Sequence, residues 1–321
     1  MALTETPRGC VALTGATGFV GGAIARRLAA DGWHLRLMVR AGSEERTSGF
    51  ANAQVVTGGL ADRPAIERLL AGATALVHCA GAVRGARYAD FERVNVAGTQ
   101  ALLDAAAPTL RVVHISSLAA RHPQLSHYAA SKRAGEQRVT ATLPVQRRVI
   151  LRPPAVYGTQ DRELRPLLDA MWRGLALLPG PPSARFSLLY ADDLARLVAC
   201  LLASDAGWGT IHEPHDGKPG GYSWSELLAA VEQLRGRPVR SMRLPGGLLS
   251  AFGFGNAMLS RLTGSAPMLS PGKARELRWP DWIAAGNASL VDTAWAPSVD
   301  LTAGLRTLFA PSTASDMTVG G

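Results

Sequence analysis

Residues 126–136 read SHYAASKRAGE and place a tyrosine, Tyr128, four positions before a lysine, Lys132. On a helix that spacing sets both side chains on one face. The chemistry open to such a pair is proton transfer. A phenol can give a proton to a carbonyl oxygen or take one from an alcohol, and a cation one turn along favours the phenolate. Near neutrality the phenol needs that help, because its ordinary pKa is about 10. The same spacing arises by chance on any solvated helix. Only the elements that position the pair can decide between the two readings.

Those elements alternate. CVALT (10–14), HLRLMVR, QVVTGGL (54–60), ALVHCAG (75–81), RVVHISS (111–117) and RRVILRPPAVYG (147–158) read as strands. Helical stretches separate them near 63–71 and 91–107. Strand–helix alternation means βαβ units, a parallel sheet and right-handed crossovers. Between the first strand and the first helix, AIARRLAADG, lies TGATGFVG. Gly15, Gly18 and Gly21 there permit a tight turn, close approach of backbone to a pyrophosphate, and close packing of helix on strand. The helix N-terminus then faces the anion. A glycine motif in that context predicts dinucleotide binding. At the end of the second strand, LMVRAGSEER offers Arg40 and no acid before Glu44. Arg40 suits a 2′-phosphate, so NADP(H) is expected in preference to NAD(H); the competing reading has Arg40 stacking on adenine with either cofactor.

TGATGFVG, HCAG, NVAGT, ISS, YAASK, RPPAVYG and YADDLA, in that order, resemble the extended branch of the short-chain dehydrogenase/reductase superfamily, the NAD(P)-dependent epimerase/dehydratase family. The likeness spans about residues 9–310. It implies an α/β fold: a Rossmann-type doubly wound parallel sheet with a small C-terminal substrate lobe. The expected division is 1–157 plus 186–214 for the dinucleotide domain, 158–185 plus 215–310 for the lobe, and 311–321 as a flexible tail. It also implies a catalytic set of Tyr128, Lys132, Ser117 and Asn95. Lys132 would bind the nicotinamide ribose and, with the oxidised nicotinamide, lower the phenol by about three pH units, or about 4 kcal/mol. Ser117 is preferred to Ser116, since neighbours on a strand point to opposite sides and the family uses the second serine. Cofactor contacts are implied for Thr17, Phe19 and Val20 in the loop, Leu60, then Cys79, Ala80 and Gly81 in HCAG, and Pro153 and Val156 in RPPAVYG. Departures matter too. The stretch between Ser117 and Tyr128 is compact, which gives less cover over a substrate. Phe186 stands where the family's epimerases often carry an arginine, with Arg185 beside it, and this weakens a nucleotide-sugar reading.

The remaining residues narrow the classes. With 321 residues, 47% hydrophobic and 18% charged, the composition is globular. The net charge of +9 comes mostly from scattered arginines. No nucleic-acid motif accompanies it, so nucleic acid is not an expected partner. Cys10, Cys79 and Cys200 show no disulfide or metal spacing, and a reducing cytoplasm is the natural setting. The N-terminus shows no secretion signal. No metal is expected from the histidines; His114 reads as a satisfied core residue. Asp192 and Asp193 read as helix N-cap residues and Ser223 or Ser225 as the cap of SWSELLAAVEQLRG. Segment 244–269 carries one charge, Arg261. It suits a hydrophobic substrate or peripheral contact with a membrane surface, and equally a buried helix. Two functions follow: a ketone/alcohol oxidoreductase on a hydrophobic, lipid-like (keto-sphingolipid, ceramide or steroid-like) substrate, or a nucleotide-sugar epimerase/dehydratase. The family habit of pairing through the Tyr/Lys helix makes a homodimer the expected assembly.

Overall fold

The computed structural model describes residues 8–50, 53–244 and 270–309. Seven strands form one parallel sheet: β1 (Arg8–Thr14), β2 (Trp33–Val39), β3 (Ala53–Thr57), β4 (Ala75–His78), β5 (Arg111–Ile115), β6 (Arg148–Leu151) and, later in the chain, Ile211–His212. Their order is β3-β2-β1-β4-β5-β6 followed by Ile211–His212. The order reverses between β1 and β4, and the crevice at such a reversal is where open α/β sheets bind ligands. Strands β1 and β4 are apolar on both faces, as a sheet covered on both sides requires.

Helices α1 (Phe19–Ala30), α2 (Arg63–Leu70), α3 (Tyr88–Glu92), α4 (Gly98–Asp104) and α5 (His127–Thr142) connect these strands. One face of the sheet packs with α1 and the helix Ala191–Ala203 through Val11, Leu13, Ile24, Leu28, Leu194 and Val198. The other packs α2, α4 and α5 through Ile66, Leu69, Leu102, Val112, Val139 and Ile150. The helical stretch expected over 91–107 is interrupted: a π-helical turn spans Arg93–Ala97 between α3 and α4.

After β6 the chain adds β7 (Ala155–Tyr157), α6 (Arg165–Arg173), β8 (Leu175–Leu178), β9 (Arg185–Phe186) and β10 (Leu188–Tyr190). Then come α7 (Ala191–Ala203), β11 (Ile211–His212, the last sheet strand), β12 (Tyr222–Ser223), α8 (Trp224–Arg235), β13 (Arg240–Arg243), a helix at Pro271–Arg278, β14 (Asp281–Trp282) and a helix at Leu301–Phe309. A third core gathers Tyr157, Leu168, Met171, Trp224, Leu227 and Leu305 beside the sheet. Ser223, not Ser225, caps α8, in a reciprocal pair with Glu226.

The aspartates in the first turn of α7 correct an expectation. Neither caps the helix, whose N-cap residue, Tyr190, makes no side-chain capping bond. Asp193 is fully buried and accepts from the N–H groups of Ser298 and Val299 (3.0 Å each) and from Ser298 Oγ (2.8 Å). Its oxygens fasten the returning chain to α7, and Oδ1 also accepts from Arg196 of the same helix. Segment 245–269 and residues 310–321 lie outside the described residues, so the readings placed on them stay expectations. Among the described residues no helix is long and apolar enough to cross a membrane.

Candidate active site

A continuous cleft of about 2030 Å³ runs along the C-terminal ends of the strands, from Arg40 and Arg46 to the helix Pro271–Arg278. At its first bend is the glycine loop. Gly15 adopts φ 82°, a left-handed conformation that glycine takes without strain. A β-carbon on Gly21 would run into the Gly15 carbonyl, so only glycine lets α1 pack this close. Gly18 is the N-cap of α1, with no side chain capping the helix and no acid in its first turn. Its free N–H groups and positive dipole end therefore serve an anion in the cleft. Those features fit a dinucleotide pyrophosphate.

Thr17, Phe19, Val20, Cys79, Gly81, Pro153 and Val156 line the same cleft, as does Arg40. Leu60 and Ala80 do not. Leu60 packs on Gly98, and the Ala80 N–H donates to Thr14 Oγ1 (3.2 Å). Arg46, in the short turn Glu44–Thr47, reaches the cleft near Arg40. Nothing in the sequence separated it from its exposed neighbours.

Ser126 caps α5 by accepting from the Ala129 N–H (2.9 Å), which starts the helix two residues before Tyr128. Tyr128 and Lys132 then fall on successive turns, and both line the cleft. Lys132 is 6% exposed and its Nζ donates to the Ile115 carbonyl at 2.6 Å. Burial draws its pKa down to about 8, against the opposing pull of Cys79 and Glu136. Burial likewise pushes the Cys79 thiol up to about 12, which makes it inert as a nucleophile.

Ser117 and Ser116 part as strand alternation requires. Ser117 lies in the cleft within hydrogen-bond reach of the Tyr128 phenol. Ser116 is 5% exposed and donates to Glu136 Oε1 at 2.6 Å. Glu136 in turn holds Arg152 through both oxygens, at 2.8 and 2.6 Å.

The depression expected of the tyrosine belongs to the complex with oxidised cofactor. In the cofactor-free protein Tyr128 sits above its ordinary value, because burial outweighs the Ser117 hydrogen bond and the nearby Lys273 cation, while Glu276 and Glu163 add to the rise. Lys132, bonded to Ile115, is not among the largest of these influences.

Asn95 lies beneath this site, in the π turn. Its Oδ1 accepts from the Ala82 N–H (2.7 Å), and its Nδ2 donates to the Ala82 carbonyl (3.0 Å) and to Ser131 Oγ (2.8 Å). A chain of buried bonds reaches it from β1. The Thr99 hydroxyl donates its one proton to the Asn95 carbonyl (2.8 Å), so it must accept from His78 Nε2 (2.9 Å). His78 Nδ1 therefore accepts from Thr14 Oγ1 (2.8 Å). One neutral tautomer satisfies the whole chain, and burial keeps His78 neutral with a pKa near about 3. His114 is a second correction. It is buried beside His78, ring centroids 5.2 Å apart, but neither of its nitrogens finds a partner among the described residues. Burial holds it neutral too. No group of His, Cys, Asp or Glu among the described residues could hold a metal ion.

A family model described as "NAD dependent epimerase/dehydratase family" matches residues 11–211. The chain belongs to this family. It is 39% identical over 278 residues to a ceramide reductase of Caulobacter vibrioides, covering 86% of each protein. It is 34% identical over 181 residues to a 4-hydroxy-2-methyl-3-oxo-4-farnesyl-3,4-dihydroquinoline-1-oxide ketoreductase of Stigmatella aurantiaca, covering 50% of this chain and 54% of that protein. Among solved structures, a UDP-glucuronic acid 4-epimerase of Bacillus cereus in complex with NAD superposes with a TM-score of 0.69. It shares 18% identity, and the match covers 93% of this chain and 94% of that one. The structural likeness establishes the fold. This chain is thus a Rossmann-type enzyme of the extended short-chain dehydrogenase/reductase branch, built for an NAD-type dinucleotide.

Proposed function

We propose that the enzyme reduces a ketone on a hydrophobic, lipid-like substrate, with Tyr128 as proton donor and NADPH as the preferred hydride source. The observation that carries this reading is the apolar side chains that share the cleft with Tyr128. Phe91, whose ring lies 6.4 Å from that of Tyr128, Leu118, Phe186, Trp224, Trp279 and Trp282 are among its lining and suit an apolar body. Arg185, beside Phe186, is engaged by the Gly220 and Gly221 carbonyls and by Glu226. The likeness to a ceramide reductase over most of both chains supports the same substrate class, a long-chain keto amide.

In this reading Ser117 and Tyr128 bind the carbonyl oxygen together. When bound, the reduced nicotinamide supplies the hydride to the carbonyl carbon. Tyr128 gives its O–H proton to the oxygen, leaving tyrosinate that is reprotonated from solvent. Ser117 holds the oxygen as charge develops on it. Lys132 binds the ribose hydroxyls once cofactor replaces its bond to Ile115. Asn95 holds the loop after β4, where Gly81 borders the cleft. Arg40 and Arg46 would take the 2′-phosphate of NADPH between them. The dinucleotide domain is 1–157 plus 186–214, and 158–185 plus 215–310 form the substrate lobe. The protein works in the cytoplasm or at the membrane surface, and pairs through the Tyr/Lys helix.

The test is NADPH absorbance with enzyme at stoichiometric concentration, using long-chain keto amides beside UDP-sugars. Net loss of NADPH with formation of the alcohol is expected from a keto amide. A UDP-sugar converted to its epimer without net change in cofactor would overturn the proposal.

A further inference from the structure

The helix Pro271–Arg278 belongs to the C-terminal part of the chain, yet it is fastened to the start of the Tyr128 helix. A β-carbon on Gly272 would lie 2.8 Å from Ser126 Cβ, so glycine is what lets the two elements meet. Ser126 Oγ donates to Glu276 Oε1 in a short hydrogen bond. Arg275 Nε donates to the Leu125 carbonyl at 2.7 Å. The Glu276 carbonyl accepts from Trp282 Nε1 (2.9 Å), which ties the same helix to β14. Three contacts over two turns thus fix the helix against residues 125–126, directly before Tyr128.

That attachment carries Lys273 to the reacting end of the cleft, which it lines together with Tyr128. Its ammonium holds Glu276 Oε2 at 3.1 Å. The other Glu276 oxygen is taken by Ser126, and the carboxylate is almost fully buried. Glu276 therefore works as a bracket: one oxygen on the helix cap, the other on the lysine. An ammonium has three N–H bonds, and this one has a single protein acceptor among the described residues.

We propose that Lys273 is a positioning residue of the reacting centre, holding a positive charge on the substrate side of the Tyr128 hydroxyl. The inference rests on the assignment of Tyr128 as proton donor. It divides the work between two lysines from different parts of the chain. Lys132 serves the cofactor side, and Lys273 arrives with the element that closes the substrate side. The tyrosinate left after proton transfer then faces a cation that the substrate lobe supplies.

The other charged and titratable groups around Tyr128 are accounted for. Ser117, after β5, bonds the phenol. Glu163, after β7, is paired with Arg84 at 2.6 Å. Glu276 is paired with Lys273, and Lys132 with the Ile115 carbonyl. From α3, Asp90 is held by the N–H groups of Ala86 and Arg87, and Tyr88 packs on His127. Of these groups, Lys273 is the cation with the largest pull on the phenol. Its side chain is partly exposed, and Glu276, Tyr128 and Glu163 raise its pKa and keep it charged.

The experiment observes the phenol directly, in protein carrying tyrosine labelled with carbon-13 at the ζ carbon. Subtracting the spectrum of Tyr128→Phe isolates the Tyr128 signal from the other four tyrosines. Removing the cation is expected to lower the fraction of tyrosinate at a fixed alkaline pH about threefold, the size of one solvent-screened charge pair. Lys273→Met and Lys273→Gln are both expected to show this loss, and Lys273→Arg to restore the wild-type fraction. An unchanged fraction in the Met and Gln variants would overturn the proposal, as would an Arg variant that behaves like them. The titration needs no substrate and no turnover. Failure to reduce a keto amide would therefore count against the proposed function and leave this result standing.

Discussion

The chain Thr14–His78–Thr99–Asn95 makes a sharp prediction, because each hydroxyl in it has one proton and each proton has one destination. Thr99→Val keeps the shape of the side chain and replaces the hydroxyl with a methyl. His78 Nε2–H then has no acceptor in a site where His78 is 2% and Thr99 1% exposed. Shifting the proton to Nδ1 does not help, since Thr14 would lose its acceptor and Nε2 would become the orphan. A buried unsatisfied donor costs about 1–3 kcal/mol, and the lost bond to the Asn95 carbonyl adds about 1 kcal/mol. The extra buried methyl offsets about 0.8 kcal/mol. The net expectation is a loss of about 2 kcal/mol, read as a lower urea midpoint with an unchanged slope. His78→Leu orphans the Thr14 hydroxyl instead and should cost a similar amount. Combining the two removes both ends of the His78–Thr99 bond. The double variant should be less destabilised than the sum of the singles by about 1–2 kcal/mol. Additivity within about 0.5 kcal/mol would refute the directed chain and the tautomer assigned to His78.

Four further outcomes are expected. Gly21→Ala forces α1 away from the Gly15 carbonyl, and calorimetry should show dinucleotide affinity reduced by at least about a hundredfold, equivalent to about 2.7 kcal/mol. Tyr128→Phe should abolish ketone reduction while cofactor affinity, followed by fluorescence, stays within about twofold, a change of about 0.4 kcal/mol. Arg40→Ala should raise the KM for NADPH about tenfold more than that for NADH, since a charge-assisted phosphate bond worth about 1.5 kcal/mol is lost with one cofactor only. Glu226, in its reciprocal pair with Ser223, has its pKa lowered from 4.5 to about 2, chiefly by accepting from the Ser223 N–H. Its folded value lies below its unfolded one, so its stabilisation is present above about pH 4.5 and lost as pH falls toward 2. The gap in urea midpoint between wild type and Glu226→Gln should therefore shrink on going from pH 7 to pH 2, from at most about 1 kcal/mol at this solvent-screened site.

What the sequence made legible was local. The glycine loop is a run of backbone demands that only glycine meets, so its spacing is visible without the fold. Tyr128 and Lys132 are one helical turn apart, and strand alternation leaves one of Ser116 and Ser117 for the site, the family resemblance choosing Ser117. The residues that escaped are joined across long separations. Thr14, His78 and Thr99 lie on three different elements, and no pattern in any one of them announces a partner in another. Lys273 comes from the far end of the chain, and its place beside Tyr128 depends on Ser126 and Glu276 meeting across 150 positions. Asp193 looked like a cap because acids before a helix commonly cap it. The structure gives its oxygens to Ser298 and Val299, donors 105 and 106 residues away.

The π turn at Arg93–Ala97 explains why periodicity failed where it mattered. A straight helix through 91–107 would satisfy its interior backbone groups from within, and its side chains would follow one register. Here the helix carries a local change of register. Asn95 sits in it, and its carbonyl receives a side-chain hydroxyl, that of Thr99. Its amide group meanwhile pairs with both backbone groups of Ala82, in the manner of a neighbouring strand. That pairing holds the loop after β4 beside the cleft without adding a strand. Ser131 takes the remaining Asn95 N–H (2.8 Å) and lies next to Lys132 on α5. The irregular turn is thus the point where β1, the β4 loop and the Tyr/Lys helix are held in mutual register. Straightening it by mutation would misplace Gly81 and Lys132 together, although neither touches the altered residue through the chain.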